Sequence, residues 1–423
     1  MNKKINKSND HYLDAIPKNE RKSFWSITMV WTGFVFVIAS MMAGGGLSAG
    51  LNMKDIILVT ILGNIFLSTV AILVSTIATK TGLSFALISK YSFGDKGSRV
   101  ASIFIPIVNI GWYTIQSAIY GHFIALILNL NPTGEYIAMI LSALVMGIFA
   151  LIGISALTVL GFVAIPAIIF LSLATAIKAT GMAGGISSIM SIEPKNPMTL
   201  LDGLTIIIGT WIFSASTCIA DIMRYSKNTK EATISTLTGL VFGNSLLIIC
   251  GAITSFALQD SDLTSVLLKM GLIIPSFILM TTNIFTTNGA NIYSTGLNLA
   301  NAFKKESSKI ITVVLIISAL LTLTKPYEID SLFKFLGFLG NAIPPLPGII
   351  LADYYLINKG NYINLSHCKI APWNIIAWIA WILSAVIVMV VDFGFAPLNG
   401  IILGSLIYTV LMKLTKKIVI TVN

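Results

Sequence analysis

Long apolar runs, separated by short polar stretches rich in lysine, recur along the whole chain. A helix needs about 20 apolar residues to cross a bilayer. On that length the runs resolve into twelve predicted spans: 24–50, 55–79, 100–124, 136–154, 156–180, 203–222, 232–258, 271–289, 309–324, 331–354, 372–391 and 395–413. The bias of Lys and Arg toward cytoplasmic loops orients them. With both ends inside, twenty-one of the 27 basic residues fall on the inner side. Only Lys54, Lys178, Lys195, Lys269, Lys325 and Lys334 fall outside. The pattern predicts an all-α integral membrane protein with a single transmembrane domain over 24–413. Cytoplasmic tails flank it at 1–23 and 414–423.

Three spans carry breaks. The first contains Gly33 and then Gly44-Gly45-Gly46, the sixth runs Gly209-Thr210-Trp211-Ile212-Phe213-Ser214-Ala215-Ser216-Thr217, and the tenth holds Pro344, Pro345 and Pro347. The first and sixth lie five spans apart. Interrupted helices at matching positions point to a five-plus-five inverted repeat with a binding site at mid-membrane, followed here by two C-terminal helices. The eighth span closes on a polar cluster, in which Asn283, Thr286 and Thr287 stand at i, i+3 and i+4 on one helix face. Their uncharged oxygens suit a small hard cation. The same groups also suit hydrogen bonds to a neighbouring helix. In the third span, Asn109 and Trp112 lie near mid-membrane, where an interfacial belt does not explain a tryptophan. Core packing and ring stacking both fit Trp112, and Trp211 is equally open. Asp221 and Arg224, at i and i+3, suit a pair or gate at the inner end of the sixth span.

Composition supports the membrane reading and narrows the chemistry. Of the 423 residues, 56% are hydrophobic and 10% charged, against about 25% charged in soluble domains. The net charge of +10 follows the loops rather than one basic face, which argues against nucleic acid as a partner. The N-terminus lacks the apolar core of a signal peptide. Cys218, Cys250 and Cys368 are scattered, as are His11, His122 and His367, and imply neither disulfide nor metal site. His122, near the end of a span, reads as an interfacial or interhelical polar residue rather than a ligand. No nucleophile–base pair, metal cluster or phosphate loop suggests an enzyme. The candidate site residues Gly33, Phe36, Asn109, Trp112, Trp211, Ser214, Asn283, Thr286 and Thr287 include no ionisable group. A neutral, flat, polar ring fits aromatic faces and amides of this kind.

The chain resembles the nucleobase–cation symporter family and its cytosine permease branch. The resemblance is carried by Gly153-Ile154-Ser155-Ala156-Leu157-Thr158-Val159-Leu160 with Ile165-Pro166-Ala167-Ile168, and by Ala220-Asp221-Ile222-Met223-Arg224-Tyr225. It is carried further by Asn283-Ile284-Phe285-Thr286-Thr287-Asn288, and by Ala342-Ile343-Pro344-Pro345 with Ala352-Asp353-Tyr354. It implies twelve helices in a leucine-transporter-like fold, alternating access and a plasma-membrane location. It implies a sodium ion held by the carbonyls of Gly33 and Phe36 with Asn283, Thr286 and Thr287. A nucleobase would lie between Trp112 and Trp211, with polar contacts from Asn109, Ser214 and Asn283. The implied activity is sodium-coupled import of a neutral nucleobase, cytosine first, with no cofactor beyond the coupling ion. Another planar heterocycle (a purine, a hydantoin or a hydroxymethylpyrimidine), and protons as the coupling ion, form the alternative. Two departures bear on the substrate. Asn109 stands where the cytosine permeases carry Gln, and the stretch from Trp211 to Asp221 is one residue longer than their pattern.

Overall fold

Inside a bilayer every backbone polar group has to be satisfied by the chain itself, which leaves helices as the economical solution for apolar runs of this length. The structure, a computed structural model, describes residues 14–152, 154–194, 196–260, 262–303, 307–391, 393–415 and 419–422. Its helices are α1 (Phe24–Val35), α2 (Ile38–Leu47), α3 (Met53–Thr81), α4 (Phe85–Phe93), α5 (Asp95–Ile127), α6 (Pro132–Ile152), α7 (Ile154–Met182), α8 (Ile186–Met190), α9 (Leu200–Ser216) and α10 (Cys218–Met223). They continue as α11 (Thr229–Leu237), α12 (Ser245–Leu258), α13 (Leu263–Lys269), α14 (Ile273–Phe303), α15 (Ser307–Leu321), α16 (Ile329–Ala342), α17 (Pro345–Leu351), α18 (Ile375–Val390) and α19 (Ala396–Thr415). A π-turn at Thr238–Asn244 joins α11 to α12, and another at Ala352–Ile357 follows α17.

Local chemistry sets many of the boundaries. Ser23, Asn52 and Ser84 accept the first free N–H groups of α1, α3 and α4. Thr199 and Asp202 close a reciprocal capping box at the start of α9. Six helical segments are long and apolar enough to cross a membrane. They become seven if the bent pair α1–α2 counts as one span. Shorter apolar helices cover Pro132–Gly147, Leu200–Ser216, Lys309–Thr324 and Ile375–Val390. Large apolar side chains such as Phe170, Phe242, Ile274 and Val390 are 71–76% exposed, the surface expected against lipid rather than water.

The breaks fall close to where the sequence placed them, with one correction. The first span bends by 47° between Val35 and Ile38, not at the triple glycine. Gly44, Gly45 and Gly46 stay helical and buried inside α2. Their use is close packing: a Cβ on Gly44 would lie 1.9 Å from the Ile248 carbonyl oxygen, and one on Gly251 would lie 2.0 Å from that of Met41. Small residues thus let α2 and α12 pack backbone to backbone. The sixth span breaks at Thr217, between α9 and α10. The tenth breaks at Ile343–Pro344 yet remains within one apolar segment, Ile329–Ile357. Gly153, at the expected division between the fourth and fifth spans, lies outside the described residues. The eighth helix continues to Phe303, past the expected end at 289. The polar residues beyond Gly289 still accept helical backbone, which hydropathy does not register.

The first broken span packs on the seventh (α2 on α12), and the sixth packs on the second (α9 on α3). That reciprocal exchange is the one a five-plus-five repeat requires. One small sheet departs from the all-helical expectation. Strand β1 (Cys368–Ile370) pairs antiparallel with β2 (Ile420–Val422), so the chain's last described residues join the loop before α18. The segment before α1 is also tied down: Ile16 N–H donates to the Gly82 carbonyl at 2.9 Å, and Arg21 donates to the Ser226 carbonyl at 2.7 Å.

Candidate functional site

Where α1 ends, its last carbonyls lose their intrahelical partners, and the first N–H groups of α2 have none. Asn283, projecting from α14, answers both sides of this gap. Its Nδ2 donates to the Phe36 carbonyl at 2.8 Å, and its Oδ1 accepts from Ile38 N–H at 2.8 Å. All three residues are buried. The amide expected to meet ligand therefore also holds the break open. One helical turn on, Thr287 Oγ1 donates to the Asn283 carbonyl at 3.0 Å. The Thr286 side chain lies outside the described residues. Gly33 sits in the last turn of α1, so close to α7 that a Cβ there would lie 2.7 Å from Ile165 Cδ1.

A cavity of about 460 Å³, its mouth included, lies beside this break. Its walls are Phe34, Val37, Ala39 and Ser40 from the broken first span, Asn109, Trp112 and Gln116 from α5, Thr210, Trp211 and Ser214 from α9, and Thr287 and Asn291 from α14. Among the described residues, no lining residue is ionisable. Five of the expected residues, Asn109, Trp112, Trp211, Ser214 and Thr287, meet here. Gly33, Phe36 and Asn283 are not among its lining residues; Phe36 and Asn283 join at the break instead. Trp112 packs edge-on against Phe335, ring centroids 5.4 Å apart. Trp211 is held edge-on by Trp31 and Phe34.

Gln116 and Asn291 escaped the sequence reading. Gln116 follows Trp112 by four and Asn109 by seven, a helical spacing that could have exposed it. Among the described residues, neither its buried Oε1 nor the buried Nδ2 of Asn291 has a hydrogen-bond partner. An acceptor and a donor left unpaired on two residues that line the cavity suit a ligand that brings the complementary groups.

Elsewhere the Asp221–Arg224 expectation takes another form, while His122 is interhelical as expected. Asp221 accepts from Phe85 N–H at 2.8 Å, tying α10 to the start of α4, while Arg224 Nε donates to the Asp221 carbonyl at 3.3 Å. His122 is interhelical, between Glu135 at 2.7 Å and Asp262 at 3.1 Å, and its ring stacks on Tyr327.

Broken helices bracketing a cavity are the arrangement of many membrane transporters. Residues 15–411 match the model for the family of permeases for cytosine/purines, uracil, thiamine and allantoin, and the chain belongs to that family. It is 31% identical to the cytosine permease of Escherichia coli K12 over 411 residues, covering 96% of this chain and 95% of the relative. It is 26% identical to the allantoin permease of Bacillus subtilis over 402 residues, covering 82% and 78%. Among solved structures it resembles the inward-facing conformation of Mhp1, with a TM-score of 0.79 at 17% identity, over 95% of this chain and 93% of that one. It also resembles Mhp1, a nucleobase-cation-symport-1 family transporter, in a closed conformation with bromovinylhydantoin bound (TM-score 0.75, 18% identity, 95% of each chain). The family resemblance read from the sequence is thereby established.

Proposed function

We propose that the chain is a secondary active transporter that imports a neutral nucleobase, cytosine first, with sodium, by alternating access. It does so in the plasma membrane, across twelve helical crossings, with both termini in the cytoplasm. The observation that carries this reading is the cavity wall. Two indoles, Trp112 and Trp211, line it together with uncharged amides and hydroxyls, a wall on which a planar ring could stack. Stacking of a base on an aromatic side chain contributes about 1–3 kcal/mol. The unpartnered Gln116 carbonyl and Asn291 amide match the adjacent donors and acceptors of a base edge.

Sodium would sit at the α1–α2 break, where the carbonyls of Gly33 and Phe36 and the hydroxyls of Thr286 and Thr287 supply neutral oxygen. Among the described residues no titratable side chain lines the cavity, which favours sodium over protons as the driving ion.

A broader ring preference is the second reading, and Asn109 favours it. Its amide is one methylene shorter than the Gln of the cytosine permeases. The space left accepts a bridging water or a larger ring, as in relatives named for allantoin and hydantoin. Uptake of radiolabelled cytosine, uracil, hypoxanthine, allantoin and hydantoin into proteoliposomes, with and without an inward sodium gradient, tests both readings. Sodium-dependent accumulation of cytosine is expected. Accumulation driven by a pH gradient alone in sodium-free buffer would overturn the coupling.

A further inference from the structure

Trp211 lines the cavity, and its indole N–H is already engaged, chiefly by a buried polar chain. Nε1 donates to Asn244 Oδ1 at 3.0 Å, with Ser40 Oγ a longer second acceptor at 3.4 Å. Asn244 Nδ2 donates to Asn64 Oδ1 at 2.8 Å, and Asn64 Nδ2 donates to Ser245 Oγ at 2.8 Å. Asn64 and Asn244 are completely buried, and neither lines the cavity. The chain runs from α9 through the end of the π-turn to α3. An extra backbone residue of this kind re-aims side chains and is frequent at functional sites. A buried asparagine pair is costly unless every group is used, and here each amide meets a partner on both its donor and its acceptor side.

We propose that Asn244 and Asn64 are positioning residues for ligand recognition, fixing the rotation of the Trp211 indole so that its face, not its N–H, meets the ligand. This rests on the reading of the cavity as a base-binding site. The indole N–H cannot serve a ligand while it bonds Asn244. Trp211 therefore recognises by ring face alone, and hydrogen-bond selectivity falls to the other walls. The π-turn supplies the register that sets Asn244 opposite Nε1, while the Asn64 amide stops Asn244 from turning its NH₂ toward the indole.

The test pairs a spectroscopic readout with binding. Protein labelled with ¹⁵N-tryptophan shows indole N–H resonances, and Trp211→Phe assigns one of them by its loss. In Asn244→Ala that resonance should shift in the direction of a weakened hydrogen bond, and Asn64→Ala should shift it less. Binding of radiolabelled cytosine should weaken about tenfold in Asn244→Ala, equivalent to about 1.4 kcal/mol. In the Trp211→Phe background, which has no indole N–H, the same change should cost little more. An unmoved indole resonance, or equal losses of affinity in both backgrounds, would overturn the relay. A lowered melting temperature with unchanged affinity would also overturn it, leaving a structural role only. If the unchanged protein binds no cytosine, the base-binding reading fails, and the resonance still decides whether Asn244 holds the indole.

Discussion

Replacing Asn283 by Ala removes both hydrogen bonds that span the break in the first helix. The Phe36 carbonyl and the Ile38 N–H, 2.8 Å from the amide, would lose their partner together. Phe36 is 5% exposed and Ile38 not at all, so bulk water does not replace it. An unpaired buried polar group costs about 1–3 kcal/mol. Two such groups set the expected loss at about 2–6 kcal/mol, a large share of a stability that is typically about 5–15 kcal/mol. Thr287→Ala, one turn away, removes a single bond from a partly buried hydroxyl to a carbonyl that is already part of the helix. It should cost about 1 kcal/mol or less. Thermal unfolding of both purified variants in sodium-free detergent buffer measures the difference. Asn283→Ala should melt well below Thr287→Ala before any ion is added. Equal melting of Asn283→Ala and the unchanged protein in sodium-free buffer would refute the clamp and leave the amide only as a ligand.

Three further outcomes are expected. Trp112→Ala should weaken cytosine binding by about 1–3 kcal/mol, while Trp112→Phe retains part of it; equal affinity in the Ala variant would return Trp112 to core packing against Phe335. Thr287→Ala should raise the sodium concentration for half-maximal cytosine binding more than Thr287→Ser does, and an unchanged sodium dependence in both would remove Thr287 from the proposed cation site. At the cluster of His122, Glu135 and Asp262, burial opposes ionisation of Asp262, but hydrogen bonds from His122 and Thr264 outweigh it and hold the carboxyl below its usual range. A depressed carboxylate stabilises fully above its unfolded value, about pH 3.9, and that contribution fades as pH falls through the lower folded value. Melting followed from neutral to acid pH should therefore lose the Asp262 contribution only below about pH 4. Asp262→Asn should flatten that acid limb, and an unchanged limb would discount the cluster.

How much was legible in the sequence depended on whether a residue's signal was local. Apolar runs long enough to span, and a Ser-rich stretch before Thr217, reported themselves directly. So did the face shared by Asn283 and Thr287, because helical spacing alone places them together. The site of the first bend was not local. Three glycines resemble a hinge, yet the missing side chain of Gly44 serves contact with Ile248 and that of Gly46 contact with Phe333 and Ile329, on helices two hundred or more residues away. The actual bend, at Phe36–Val37, lies in an unremarkable apolar stretch and exists because a distant amide satisfies it. Gln116 was hidden for a related reason: a glutamine in a long apolar helix is read as interhelical glue until its surroundings show the carbonyl unpaired. Asn244 and Asn64 lie far apart in sequence, in different spans, and only folding joins them.

The placement of Asn283, Thr287 and Asn291 bears on how an ion gradient could drive a neutral cargo. The three recur every four residues on α14 and so share one face. The first holds the break, the second borders both break and cavity, and the third lines the cavity with an unpaired donor. Thr287 and Asn291 are separated by about 6 Å of helix rise. Under the proposed coupling, a cation at the break and a base in the cavity would each order the same two turns. Charge need not pass between the sites, because whichever ligand binds first has already met the ordering cost that the second would face. Thermodynamic linkage then makes the effect reciprocal: sodium tightens base binding by the factor by which the base tightens sodium. An uncharged cavity is compatible with ion coupling for this reason, since a single rigid helix face can carry the coupling that an ion pair would otherwise provide.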